Sequence, residues 1–282
     1  METQYSSIGP FVREVGTGSP VLCLHSSAGS SKQWLPLMEL LGTSYRMVAP
    51  DLYGYGQSPE WPDHRPLSLT DEIALIEPVM STIREPFHLV GHSYGGAVAL
   101  AVALRYPERI QSLVVYEPVL FNLLFENNGN DEATERIRNV AHYVRHLTRD
   151  GRSAEAARLF IDYWTGMGSW EQLHPKQQEA ITARMGKVAS DFDSTFGNIA
   201  SQIDYERLRI PTLLLYGLRS PSSTVRISEL LGNALPMAEM RGFGHMGHMG
   251  PVTHPTDVNR LIRQFINWHE ATNAANRSSR VA

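Results

Sequence analysis

Short apolar runs rich in branched residues alternate along this chain with longer stretches whose apolar positions recur every three to four residues. The runs at 21–25, 46–50, 87–91, 113–117 and 212–217 predict strands, and the stretches at 32–41, 70–83, 95–106, 225–234 and 257–269 predict helices. Strands and helices taken in turn in this way imply parallel strands joined by crossover helices, hence an α/β sheet covered on both faces. The segment 8–18 reads as a short hairpin ahead of the parallel part.

From about residue 120 to 206 the alternation stops, and the chain reads as several helices without a strand. Within it Ile137, Val140, Ala141, Val144 and Leu147 fall at spacings of three and four, which gives one helix an apolar face that must cover something. A helical lid over the strand ends accounts for the interruption, and packing against a partner subunit is the alternative. Tyr143, Tyr163, Trp164 and Trp170 lie in the same stretch. The residues thus divide into a core of 1–119 and 207–272, a helical cap of 120–206, and a small, polar tail of 273–282 expected to be disordered.

Composition narrows the function classes. With 42% hydrophobic and 19% charged residues, the chain of 282 residues has the make-up of an ordinary globular protein. A formal charge of −4 without blocks of like charge offers no footprint for nucleic acid or a membrane surface, so a small molecule is the expected partner. Cys23 is the only cysteine, which removes internal disulfides, thiolate zinc clusters and Cys-x-x-Cys redox chemistry, and its apolar neighbours predict a buried thiol. The opening residues lack a basic start with an apolar stretch, and no run of about 18 apolar residues occurs, so a soluble cytoplasmic protein is expected. Composition leaves the oligomeric state open.

One motif carries chemistry. The apolar strand Phe87-His88-Leu89-Val90 runs into Gly91-His92-Ser93-Tyr94-Gly95-Gly96 and then into a predicted helix. A Gly-x-Ser-x-Gly between strand and helix forms a turn so tight that the serine hydroxyl is pushed into the open. The backbone N–H of Tyr94, at the helix start, then points to where an oxyanion would form. Serine is a poor nucleophile unless a histidine takes its proton and an acid orients that histidine.

With that elbow, with Val21-Leu22-Cys23-Leu24-His25-Ser26-Ser27, and with Asp51-Leu52-Tyr53-Gly54-Tyr55-Gly56-Gln57-Ser58, the chain resembles the α/β-hydrolase superfamily over nearly its whole length. The resemblance implies a mostly parallel eight-stranded sheet flanked by helices, a cap after the sixth strand, and a site ordered as nucleophile, acid, histidine. It places the Ser27 N–H as second oxyanion donor, although Ser26 stands where glycine is usual. Of the 11 histidines, His245 and His248 both follow glycine in the late loop. Many relatives carry a proline seven residues after the base, which favours His248, with Pro255, over His245. His92 reads as a packing residue and His25 as a brace of its loop.

The acid departs from type. Where most relatives place aspartate, this chain reads Gly217-Leu218-Arg219-Ser220, and a serine can orient an imidazole but cannot stabilise its charge. Glu117, ending the strand after the nucleophile helix, stands where a minority of the superfamily, haloalkane dehalogenases among them, places its acid; Asp204 or a triad without a carboxylate are the alternatives. The resemblance therefore implies a carboxylic ester hydrolase with Ser93, His248 and Glu117 as its triad, acting on a small to medium, fairly apolar ester without metal or cofactor. A carbon–carbon bond or lactone hydrolase on the same scaffold, or a ligand receptor with a slow residual triad, are the rival readings.

Overall fold

The computed structural model describes residues 2–4, 9–126 and 131–279, with side chains for 9–126 and 131–272. Eight strands form one sheet: β1 (Glu2–Gln4), β2 (Phe11–Val15), β3 (Ser19–Leu24), β4 (Tyr45–Pro50), β5 (Phe87–His92), β6 (Ile110–Tyr116), β7 (Thr212–Gly217) and β8 (Ala238–Phe243). Their order is β1-β2-β4-β3-β5-β6-β7-β8, antiparallel for the first two and parallel from β4 onward. The hairpin expected within 8–18 differs in one respect. Its second strand is β2, but the partner strand lies earlier, at β1; residue 8 is outside the described residues.

The helices of the core are α1 (Leu35–Leu41), α2 (Leu69–Ser81), α3 (Tyr94–Arg105), α9 (Ser222–Ala234), α10 (Gly250–Thr253) and α11 (Pro255–Ser279). Residues 32–41 do not form one helix. A 3-10 turn over Ser31–Trp34 precedes α1, whose first turn carries Pro36, a residue that fits a helix start and not its interior. α2 opens with a capping box between Ser68 and Asp71.

The central strands are buried along their length, and successive side chains feed two separate apolar clusters. Leu22, Leu24, Leu89 and Val115 pack with α2, α3 and α9, whereas Val21, Cys23, Val90 and Val114 pack with α1 and α11. This two-residue alternation between layers explains why the strands read as continuous apolar runs. Cys23 is fully buried, and burial pushes its thiol up, out of the reactive range.

Between β6 and β7 lie α4 (Glu132–Arg149), α5 (Ser153–Thr165), α6 (Pro175–Thr182), α7 (Met185–Phe196) and α8 (Gln202–Tyr205), with no strand among the described residues. Residues 127–130 fall outside the description. Ile137, Val140, Ala141 and Val144 are buried on one face of α4, which packs against α5, α7 and α9. What α4 covers is therefore the protein's own helices. The tail differs from expectation: the backbone of α11 continues through Ser279, because Asn-Ala-Ala-Asn-Arg contains no glycine or proline to stop a helix already under way. Residues 280–282 lie outside the description. Among the described residues no helix is long and apolar enough to cross a membrane.

Two buried histidines make the fold acid-sensitive. His88 bonds Ser112 Oγ at 2.7 Å and Glu270 Oε2 at 3.2 Å, and burial holds its pKa down to about 4. His25 is likewise held at about 4 by burial, which outweighs the bond to Ser26 and the charge of Asp51. An unfolded chain binds protons at these sites near pH 6.5 while the native protein does not, so their contribution is complete above that pH and is lost as pH falls toward 4. The melting temperature should drop by several degrees between pH 7 and pH 5, and His88→Gln should flatten that slope. An unchanged slope in the variant would contradict this account.

Candidate active site

β5 ends at His92 and α3 begins at Tyr94, so Ser93 alone makes the turn, at φ 56° and ψ −117°. A non-glycine residue is strained there and persists only where its surroundings impose it. The Ser93 N–H donates to the Tyr116 carbonyl at 3.0 Å, and its carbonyl accepts from Ala97 N–H at 3.0 Å and Val119 N–H at 3.3 Å. Gly95 permits the approach: a Cβ there would lie 2.3 Å from the Leu24 carbonyl oxygen and 2.4 Å from that of His25.

Ser93 Oγ lies 2.8 Å from His248 Nε2, and His248 Nδ1 lies 2.6 Å from Glu117 Oε2. Glu117, fully buried at φ 42°, follows β6, and its other oxygen accepts from Gly217 N–H at 2.7 Å and Ser220 Oγ at 2.5 Å. Ser220 therefore does not orient the imidazole, as its place in the sequence suggested. It holds the carboxylate that touches the imidazole. His245 is exposed, with its ring 5.2 Å from that of His254, and Asp204 caps α8 through Ser201, so neither joins this chain of bonds.

His92 donates from Nε2 to the His248 carbonyl at 2.8 Å, and burial keeps its ring neutral. It braces the main chain of His248. Against the His248 ring stacks Trp164 of α5, centroids 4.2 Å apart and planes 28° apart. Nothing in the sequence spacing singles out Trp164 from the other aromatic residues of the inserted segment.

The loop after β3 supplies the opposite wall. His25 Nδ1 donates to the Ser26 carbonyl at 2.8 Å, and its Nε2 accepts from Leu52 N–H at 3.0 Å, which ties the loop to the turn containing Asp51. Asp51 in turn accepts from Ser31 N–H at 2.6 Å and Gln57 N–H at 2.9 Å. Gly56, at φ 58°, is needed in that turn because a Cβ would strike the Asp51 carboxylate at 1.9 Å. The Ser26 N–H and hydroxyl are both committed to Gln33 Oε1, at 3.1 and 3.0 Å. Ser27 and Tyr94 line the same cavity as Ser93 and His248.

That cavity holds about 680 Å3. Ser93 and His248 line it together with Phe160, Trp164, Val188 and Phe192 from α5 and α7, which give it apolar surface. One buried ionic cluster borders it. Lys187 Nζ pairs with Glu72 at 2.9 Å and with Asp191, and all three side chains are at most 5% exposed. Burial pushes both carboxyls up against the opposing pull of Lys187, whose ammonium the two carboxylates hold in the charged form. Lys187 and Asp191 lie four apart on α7, whereas Glu72 lies 115 residues from Lys187, so no local sequence spacing marks the cluster.

A family model for the alpha/beta hydrolase fold matches residues 19–255, and the chain belongs to that family. Among curated proteins it is 24% identical over 276 residues to a 2-hydroxymuconate semialdehyde hydrolase of Pseudomonas sp. (strain CF600), covering 90% of this chain and 89% of that one. It is 35% identical over 263 residues to the dihydrolipoyllysine-residue acetyltransferase component of the acetoin cleaving system of Cupriavidus necator, over 91% of this chain and 66% of that protein. A solved thermophilic esterase from Thermogutta terrifontis superposes with a TM-score of 0.68 at 25% identity, over 92% of this chain and 93% of that one.

The close approach at the elbow has a measurable consequence. Gly95→Ala should lower unfolding stability by about 3 kcal/mol in urea titration, because backbone and not a flexible side chain blocks the new methyl group. Gly186→Ala, where nothing lies within 4 Å, should cost nothing. Equal behaviour of the two variants would contradict the assigned role of Gly95.

Proposed function

We propose that this protein hydrolyses carboxylic esters through an acyl-enzyme on Ser93. The observation that supports this most is the unbroken hydrogen-bond chain from Glu117 through His248 to Ser93, the last two lining a largely apolar cavity. Ser93 Oγ attacks the ester carbonyl carbon while His248 Nε2 takes its proton. Glu117 fixes the tautomer in which Nδ1 carries hydrogen, and its charge stabilises the imidazolium that forms. The tetrahedral oxyanion is held by the N–H groups of Ser27 and Tyr94, with the positive end of α3 behind the latter.

His248 then returns its proton to the departing alkoxide, and the bond between carbonyl carbon and alcohol oxygen breaks. Water, deprotonated by the same nitrogen, attacks the acyl carbon; the bond from that carbon to Ser93 Oγ breaks, and His248 returns its proton to Oγ as the acid leaves. The inserted helices act as a cap: Phe160, Val188 and Phe192 favour a fairly apolar acyl or alcohol group, and Trp164 covers one face of the imidazole.

Turnover of p-nitrophenyl butyrate tests the assignment. Ser93→Ala should reduce kcat by about four orders of magnitude or more, and Glu117→Gln by about 10²- to 10⁴-fold. Ser220→Ala, which removes one bond to a carboxylate that keeps two others, should cost less than about tenfold. Full activity in Ser93→Ala would refute the proposal, while wild-type behaviour of Glu117→Gln would refute only the acid.

A carbon–carbon bond hydrolase is the second reading, favoured by the similarity to 2-hydroxymuconate semialdehyde hydrolase over most of both chains. The same three residues would serve it. Comparing kcat/KM for 2-hydroxymuconate semialdehyde and for p-nitrophenyl butyrate separates the two, and a clear preference for the former would displace the ester reading.

A further inference from the structure

The Lys187, Glu72 and Asp191 cluster touches both groups assigned to the oxyanion. Asp191 Oδ2 accepts from the Ser27 hydroxyl at 2.5 Å and from the Tyr55 hydroxyl at 2.5 Å, while Lys187 occupies its other oxygen. Glu72 Oε1 accepts from the Tyr94 hydroxyl at 3.1 Å and from Lys187, and its Oε2 accepts from Tyr53 N–H at 3.1 Å. Lys187 Nζ also sits 4.6 Å from the ring centroids of both Tyr55 and Tyr94. Every carboxylate oxygen has a partner, and the donors come from three segments of the core, the loops after β3 and β4 and the start of α3, together with Lys187 of α7.

The grip comes from the inserted segment. Lys187 and Asp191 belong to α7, and Arg184, just before it, donates to the Ala28 carbonyl at 2.6 Å. α7 thus holds the side chain of Ser27 and the carbonyl of its neighbour Ala28, which sits at φ 57°. Burying two carboxylates against one ammonium gains little stability over apolar packing, so a positional role explains the arrangement better than a stabilising one.

We propose that Lys187, Glu72 and Asp191 are positioning residues through which α7 sets the oxyanion donors, so that the inserted segment shapes the transition-state site as well as the pocket. This rests on the ester hydrolase reading above. The Ser27 hydroxyl is a tether and not an oxyanion donor. Its bond to Asp191 fixes the direction of the Ser27 N–H, while the bond from Tyr94 to Glu72 fixes the start of α3.

The test uses Asp191→Leu, Ser27→Ala and the double variant, with p-nitrophenyl butyrate as substrate and butylboronic acid as a probe that forms a tetrahedral anion on Ser93. Ser27→Ala removes no charge and keeps the N–H, so it serves even where Asp191→Leu fails to fold. Each folded single variant should lose about 10- to 100-fold in kcat with KM changed less than about threefold, and boronate affinity should fall by the same factor as kcat. Because both changes remove the same Ser27–Asp191 bond, the double variant should be no worse than the poorer single variant.

Unchanged kcat and boronate affinity in folded Ser27→Ala, or multiplicative losses in the double variant, would overturn the inference while leaving the hydrolase reading in place. A wild type that neither hydrolyses the ester nor binds the boronate would overturn both.

Discussion

The turn from β5 into α3 is the constraint on which the site depends. It confines the whole change of direction to Ser93 at φ 56°, and it closes only because Gly95 lets that turn press against the end of β3. The same turn ends one strand, starts a buried helix and presents a hydroxyl to a cavity. Strain at one residue is tolerable because three backbone hydrogen bonds, one of them donated by Ser93 to the Tyr116 carbonyl at the end of β6, hold Ser93 in this conformation.

Strain recurs where the other parts of the site leave the sheet. Among the described residues, the non-glycine positions with positive φ are Ala28, Ser93 and Glu117, each a short step beyond β3, β5 or β6. These neighbouring parallel strands end at one edge, which is where ligands bind in open α/β sheets. A short excursion after each strand places the Ser27 loop, the Ser93 hydroxyl and the Glu117 carboxylate about one cavity, and the loop before α10 brings His248 to meet them. Parallel alignment makes this convergence possible, since consecutive strands end on the same side.

Much of this arrangement is legible in the chain. Strands buried on both faces announce themselves as continuous apolar runs, and the 212–217 run coincides with β7. Ser93 is expected from its glycines, Glu117 from its place at the end of the strand after the nucleophile helix, and His248 from the resemblance through Pro255; the three meet in one chain of hydrogen bonds. The relation of Ser220 to Glu117 could not be read in this way, because it depends on two strand ends meeting across the sheet. The Lys187 cluster was hidden for a like reason, its members being split between α2 and α7, far apart in the chain. The polar composition of 273–282 suggests a disordered tail, yet 273–279 continue α11 because no glycine or proline there stops the helix.

In the proposed reaction an acyl group passes through Ser93. Rapid-quench mass spectrometry of the protein mixed with p-nitrophenyl butyrate tests it most directly. The account predicts a butyryl mass increment on the peptide carrying Ser93, appearing with a burst of p-nitrophenol and absent from Ser93→Ala. A full burst without an adduct on that peptide, or an adduct that persists in Ser93→Ala, would contradict it.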